Sequence, residues 1–257
     1  MTGSCPDPVR DGVYARKQIY CPSRIVAWSH GSRFQLGRRL VEAGRGGRLL
    51  DYGCGDGTFI AMVHDEFAET AGADVEPRQI ADCVRRLGHL RGVRFGLTRD
   101  LETAPRWDVV TCMEVLEHCL DAERRRVIGH LGRLVAPGGR LVVSVPIEVG
   151  PAVIAKQSMR AIAGLRRLGD YQHRERYSPL ELLRSAAGFH IPRVVLQGEG
   201  VDGSYAYYGH KGFDYRVVEA ELAAVARIDR RVFTPMRWLG PVLNSQVWFV
   251  CSPTRDG

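Results

Sequence analysis

The chain has 257 residues, 45% hydrophobic and 25% charged, which are ordinary values for a globular protein with one sizeable core. It shows no apolar run long enough to span a membrane and no secretory signal pattern, and its seven cysteines are too scattered for a disulfide framework or a zinc site, so we expect a cytoplasmic protein. The net charge of +7 rests almost wholly on arginine and is only a weak indication of a nucleic-acid or membrane partner.

The hydrophobic pattern predicts a domain over residues 47–257 that is preceded by an N-terminal helical cap at 1–46, with helical spacing over 32–43. Strands are predicted at 48–52, 70–75, 93–96, 107–113, 140–146, 190–196 and 246–252, and helices at 58–66, 77–88, 121–135 and 178–188. Asp121 is the predicted N-cap of the third of these helices, and Ser178 and Glu181 form a predicted capping box at the start of the fourth. This alternation is typical of a parallel α/β sheet. Two segments, about 147–177 and 198–245, interrupt it, and because they leave from the carboxyl ends of strands we expect them to cover a substrate.

The most informative feature is the glycine loop, residues 51–57, which joins the first strand to the first helix. Glycine has no Cβ, so Gly53, Gly55 and Gly57 let a ligand lie directly against backbone N–H groups. The spacing differs from the dinucleotide fingerprint, and the Lys-Ser/Thr pair of a phosphate loop is missing. Asp51, before the first glycine, suits a ligand with a cationic group better than a pyrophosphate.

This loop resembles the first motif of the class I S-adenosylmethionine (SAM) dependent methyltransferases, a strand ending in an acid and then Gly-x-Gly-x-Gly. The resemblance covers about residues 45–200. It implies a Rossmann-like, seven-stranded, mostly parallel sheet with helices on both faces and the last strand antiparallel. It also implies that SAM is the cofactor and S-adenosyl-L-homocysteine the product. The implied cofactor-binding residues are Asp51, Gly53, Cys54, Gly55, Gly57, Asp74, Val75, Leu97, Thr98, Met113 and Glu114.

A second acidic signal follows the second strand. A carboxylate about 20 residues after the glycine loop can accept hydrogen bonds from both ribose hydroxyls. Asp74 fits this role by its place after Gly-Ala, and Glu76 is the alternative, which would otherwise favour the start of the next helix. After the third strand the family's Gly-Asp-Ala is absent, so we expect Leu97 or Thr98 to line the adenine pocket.

The segment 107–118 resembles strand four and the following loop of ubiquinone-type O-methyltransferases, where the residues matching Met113 and Glu114 lie beside the methionine end of the cofactor. Glu114, Glu117 and His118 share one face of a helical turn, and His173 precedes the helix predicted at 178. This set resembles the metal site of small-RNA 2′-O-methyltransferases and suits Mg²⁺, Mn²⁺ or Zn²⁺. Three interpretations stay open: these four residues hold a metal, His118 or His173 is a catalytic base, or the set is structural.

The segment 150–169 contains no acid and combines an apolar helical stripe with four basic residues, Lys156, Arg160, Arg166 and Arg167. Two interpretations are open for it. The segment contacts a membrane surface or a lipid-like substrate, or it packs on the sheet as a lid.

We predict a SAM-dependent methyltransferase that O-methylates a small molecule in a bacterial-type biosynthetic pathway. Sugar, phenolic, polyketide-like and lipid-linked acceptors are all open. The alternatives are an RNA 2′-O-methyltransferase and a non-catalytic SAM-binding partner protein. We do not expect a nucleic-acid partner, because the sequence has no recognisable RNA-binding appendage.

Overall fold

The computed structural model describes residues 7–101, 106–165, 176–201 and 203–254, apart from the side chains of residues 162–165. Its strands are β1 Arg48–Tyr52, β2 Glu69–Asp74, β3 Val93–Leu97, β4 Trp107–Met113, β5 Val135–Pro146, β6 Val195–Gly200, β7 Gly203–Tyr208, β8 Ala226–Thr234 and β9 Gln246–Pro253. Its helices are α1 Arg24–Val41, α2 Thr58–Val63, α3 Pro77–Leu87, α4 Asp121–Leu134, α5 Ala152–Leu165, α6 Pro179–Ala186 and α7 Tyr215–Ala223.

A seven-stranded sheet with the order β3-β2-β1-β4-β5-β9-β8 forms the centre of the fold. The strands from β3 to β5 pair in parallel, whereas β9 runs antiparallel to both of its neighbours. The order reverses between β1 and β4, and at such a point the chain connections leave in opposite directions and open a crevice at the carboxyl ends of the strands. The predicted sheet and its antiparallel last strand are confirmed.

Two hydrophobic clusters cover the two faces of this sheet. Neighbouring residues of a strand point to opposite faces, so Leu50 of β1 belongs to one cluster and Leu49 to the other. Helices α4 and α7 complete the first cluster, and α1 and α2 complete the second. Through Leu36 and Leu40, α1 shares the core of the sheet, while the division of the chain at residue 46 stays a prediction. Across the ranges described, no helix combines the length and the hydropathy needed to cross a bilayer.

Local signals for helix ends were mostly reliable. Ser178 accepts a hydrogen bond from the Glu181 backbone while the Glu181 side chain accepts one from Ser178, which confirms the predicted capping box of α6. The prediction that Asp121 caps α4 is wrong, because Asp121 is the first helical residue and Leu120 occupies the cap position.

The predicted strand at 190–196 is wrong for most of its length. Strand β6 begins at Val195 and pairs with β7 in a separate two-stranded antiparallel sheet. Strand β8, which forms one of the two edges of the main sheet, lies inside the segment 198–245 that we predicted to be a substrate cover. Charged side chains fill the exposed positions of this edge strand, so its hydrophobic pattern is too weak to reveal it.

Candidate functional site

The three glycines of the loop adopt positive φ angles of 77°, 53° and 73°. A Cβ on Gly53 would lie 2.2 Å from Cγ2 of Val115, in the segment that follows β4. The backbone N–H groups of Gly53 and Cys54 both donate to the Ala73 carbonyl at the end of β2, at 2.7 and 3.0 Å. The loop is therefore held between the ends of its two neighbouring strands, in a conformation that only glycine adopts easily.

Asp51 lies at the end of β1 and is only 2% exposed. Its Oδ1 accepts a hydrogen bond from Thr111 Oγ1 at 2.7 Å. Burial raises the pKa of the Asp51 carboxyl to about 7, although the Thr111 hydrogen bond opposes the rise and the charge of Asp74 adds to it. A buried carboxyl of this kind favours a cationic ligand group, because the cation would offset the cost of ionising it.

Asp74 ends β2 with both carboxylate oxygens directed at backbone N–H groups. Oδ2 accepts from Gly55 at 2.9 Å and Oδ1 from Glu76 at 3.1 Å. Glu76 instead caps α3, where its side chain accepts a hydrogen bond from the Arg78 backbone. The structure thus gives Glu76 the helix-start role and places the Asp74 carboxylate against the glycine loop, while Val75 between them is 72% exposed.

The adenine-pocket candidates lie at the end of β3. Leu97 is half-buried and is in register with Asp74 of the adjacent strand, and Thr98 directly after it is buried. Leu97 and Thr98 therefore lie at the carboxyl end of β3, beside Asp74 at the carboxyl end of β2. Met113 ends β4 on the other side of β1 and is half-buried.

Glu114 is the non-glycine residue with a positive φ in the described part of the chain, at 56°. Its Oε2 lies 3.4 Å from Nη1 of Arg33 on α1, and Ser144 of β5 donates to Oε1 at 3.5 Å. Strained backbone of this kind is typical of functional sites. The contacts direct Glu114 toward α1, and among the described residues it is not part of the cluster that contains Glu117 and His118.

Glu117, His118 and His210 form a cluster in which one ligand atom from each residue lies within 4.8 Å of the others. His118 Nδ1 donates to the Tyr208 carbonyl at 2.9 Å, so Nε2 is the lone-pair nitrogen, 3.9 Å from Glu117 Oε1. The His118 and His210 rings have centroids 4.8 Å apart. Sequence reasoning named Glu117 and His118 but missed His210, which lies far along the chain from both. His173 lies outside the described residues, and its role stays a prediction.

Burial shifts the pKa values of Glu117 and His210. It raises the pKa of the fully buried Glu117 carboxyl well above its ordinary value, and the charge of Glu114 raises it further. It lowers the pKa of His210 to about 3, although the charge of Glu148 opposes this. His210 is therefore neutral at physiological pH, with a nitrogen lone pair available as a ligand or a base.

A buried ion pair holds the helix that we considered as a membrane contact. Lys156 and Arg160 of α5 lie 2.6 and 2.8 Å from the carboxylate of Glu148, which is fully buried just beyond β5. Burial alone would raise the pKa of Glu148, but the two cations outweigh it and lower the pKa to about 2. These two basic residues face the protein, whereas Arg166 and Arg167 lie outside the described residues, so membrane contact stays a prediction.

The amino-acid sequence is similar to those of known methyltransferases. A family described as a methyltransferase domain matches residues 28–191. The ubiquinone biosynthesis O-methyltransferase of Vibrio cholerae is 31% identical over an alignment of 169 residues. The match covers 62% of this chain and 64% of that protein. That of Aeromonas salmonicida is 33% identical over 186 residues, 62% of this chain and 74% of that protein. The chain thus spans less than two thirds of the Vibrio cholerae relative.

Among solved structures, the N-methyltransferase NodS from Bradyrhizobium japonicum, in complex with S-adenosyl-L-homocysteine, shares the fold with a TM-score of 0.54. It is 16% identical, and the match covers 89% of this chain and 88% of that one. The family match spans more than half of the chain and agrees with the strand order and the glycine loop. The chain therefore belongs to the class I SAM-dependent methyltransferase family.

Proposed function

We propose that the chain transfers the methyl group of SAM to an oxygen atom of a small-molecule acceptor. One observation carries this proposal: a buried carboxyl and two half-buried imidazoles form a cluster that includes the segment after β4, whose Val115 lies against the glycine loop. SAM carries its own reactive methyl, so the protein has to align the acceptor, exclude water and deal with a hydroxyl proton. The O-methyltransferase names of the relatives support oxygen as the methylated atom.

The loop and the two acids beside it would bind the cofactor. Asp51 would face the cationic amino group of the methionine part, and Asp74 would accept hydrogen bonds from the ribose hydroxyls. Both acids sit at carboxyl ends of neighbouring strands, β1 and β2, which are in parallel register at Asp51 and Gly72. The sulfonium would then point along the edge of the sheet toward the loop after β4, where the acceptor would bind.

In the reaction the acceptor hydroxyl loses its proton, and an oxygen lone pair forms the new bond to the methyl carbon. The carbon–sulfur bond breaks at the same time, and its electron pair stays on sulfur, which leaves S-adenosyl-L-homocysteine. The lone-pair nitrogen of His118, which the Tyr208 carbonyl orients, would accept that proton. Tyr207, 6.2 Å from the His118 ring, supplies an aromatic surface beside it.

The test is methyl transfer to a panel of phenolic, sugar and lipid-linked acceptors, followed by mass spectrometry and by NMR assignment of the methylated atom. We expect an O-methyl product from one acceptor class. SAM binding without transfer to any acceptor would overturn the proposal in favour of a non-catalytic binding protein, and methylated RNA would overturn the small-molecule acceptor.

Two matched variants test the cofactor residues by calorimetry. Asp74→Asn keeps the size of the side chain but removes its charge and replaces one acceptor oxygen by an amide group. SAM affinity should therefore fall about tenfold or more, which corresponds to a loss of at least about 1.4 kcal/mol of binding free energy. Glu76→Gln should leave SAM affinity within about twofold, because Glu76 acts on α3. Equal effects of the two variants would reject the assignment of the ribose to Asp74.

A further inference from the structure

Glu117 has no hydrogen-bond partner on another described residue for either carboxylate oxygen, although the residue is completely buried. An unpartnered buried carboxyl is costly whether it is charged or neutral. The two cations whose charges reach it are already used, since Arg33 pairs with Glu114 and Lys156 pairs with Glu148. Neither Arg33 nor Lys156 is therefore available to pair with the Glu117 carboxylate, which is open to a ligand.

The two histidines beside Glu117 are arranged as ligands. His118 Nδ1 donates to the Tyr208 carbonyl, which fixes the tautomer and leaves Nε2 directed at the cluster. This second contact is the one that metal-bound histidines usually make. His210 has an unpartnered Nδ1, again among the described residues, and packs edge-on against His118.

The backbone holds the two segments of the cluster together. The Tyr208 N–H donates to the His118 carbonyl at 2.9 Å, which complements the bond from the His118 ring to the Tyr208 carbonyl. The Arg193 guanidinium donates to the carbonyls of Glu117 and Gly209 from the same nitrogen, and it packs on the Tyr208 ring at 4.1 Å. These contacts therefore hold the two backbone segments together without using the proposed ligand atoms.

We propose that Glu117, His118 and His210 bind one divalent transition-metal ion, and that this ion binds and activates the acceptor hydroxyl. The inference rests on the proposed function for its second half only. One carboxylate and two imidazoles form a recurring catalytic zinc set with open positions for water or substrate. The two nitrogen ligands favour Zn²⁺, Mn²⁺ or Fe²⁺ over Mg²⁺, which prefers an all-oxygen site.

The geometry needs only a small adjustment. Metal–ligand bonds of about 2.0–2.2 Å place the ligand atoms of a tetrahedral ion roughly 3.3 Å apart. The observed atoms lie within 4.8 Å, with 3.9 Å between Glu117 Oε1 and His118 Nε2. Rotations that move each side chain by about 1 Å toward the centre complete the site.

The charges fit an oxygen nucleophile. A divalent ion with one carboxylate and two neutral imidazoles would leave a net charge of +1 and would stabilise the alkoxide or phenolate formed from the acceptor hydroxyl. With the ion bound, His118 Nε2 is a ligand and not the base, and the hydroxyl proton passes to a water molecule. That anion then takes the methyl group from the sulfonium as described above. The ion is retained, and no oxidant or reductant takes part.

The experiment measures metal uptake directly. The full chain is treated with EDTA, dialysed, and titrated with Zn²⁺ by calorimetry and with Co²⁺ by visible absorption. We expect one ion per chain for the wild type and an affinity at least tenfold lower for Glu117→Gln and for His210→Gln. The control His89→Ala removes an exposed histidine and should bind metal as the wild type does.

SAM affinity is measured on each variant to show that the fold is intact. No stoichiometric uptake, or the same uptake by His210→Gln as by the wild type, would overturn the site. Methyl transfer by metal-free protein would overturn the activating role and leave the proposed function standing. Uptake of one ion without methyl transfer to any acceptor would support the site and overturn the proposed function.

Discussion

Replacing Gly53 by alanine tests whether the glycine loop is shaped by the segment after β4. The φ of 77° costs a non-glycine residue about 1 kcal/mol. The new Cβ would also lie 2.2 Å from Val115 Cγ2, whereas carbon atoms in contact are about 3.5–4.0 Å apart. Such overpacking typically costs about 1–3 kcal/mol, so we expect Gly53→Ala to lower the free energy of unfolding by about 2–4 kcal/mol.

Gly55→Ala is the matched control, because Gly55 has a φ of 53° but no heavy atom within 4 Å of the position of its missing Cβ. This variant should lose only about 1 kcal/mol. The assay is urea unfolding followed by circular dichroism without SAM. A double variant with Val115→Ala should recover the steric part of the Gly53→Ala loss in a double-mutant cycle. Equal destabilisation by the two glycine variants would refute the reasoning.

Two further predictions concern buried acids. Burial raises the pKa of Asp51 from 3.8 to about 7, so the ligand-free folded protein binds one more proton than the unfolded chain in this range and should lose stability as the pH rises through it. Asp51→Asn should abolish that loss in urea unfolding across pH and should also weaken SAM binding; an unchanged pH profile would contradict the assignment. The pKa of Glu148 is lowered from 4.5 to about 2, so its contribution is complete above about pH 4.5 and is lost as the pH falls toward 2. Glu148→Gln leaves Lys156 and Arg160 without their carboxylate and should cost about 3–5 kcal/mol at neutral pH, a deficit that shrinks in acid; a deficit independent of pH would count against the ion pair.

The parts of the fold that could be predicted are those with strong local patterns. Strand β1 and strand β4 have the predicted bounds, because each contains adjacent apolar residues, Leu49–Leu50 and Val109–Val110, as is typical of strands covered on both faces. The capping box at Ser178 likewise needs only residues within one helical turn. Strand β8 was missed because it lies at the edge of the sheet, where charged residues face solvent and the apolar signal is weak.

The cofactor residues were predicted from the resemblance to the methyltransferase family. Asp51, the three glycines and Asp74 all lie at the ends of adjacent parallel strands, so their proximity follows from the strand order alone. Their assigned roles in binding stay predictions that the proposed variants test. The sequence does not specify the hydrogen bonds of Asp74 and Glu76; the structure places Asp74 against the glycine loop and Glu76 at the cap of α3, and the assignment of the ribose to Asp74 stays a prediction.

By itself, the sequence determined the glycine loop, the parallel sheet and the family, since each depends on short-range patterns of glycine, acid and apolar residues. Only the tertiary structure decided which groups meet beyond that loop. His118 and Tyr208 are 90 residues apart, and the hydrogen bonds between them bring His210 to Glu117. No local pattern predicts such a contact, because it depends on where the β6–β7 sheet packs against the loop after β4.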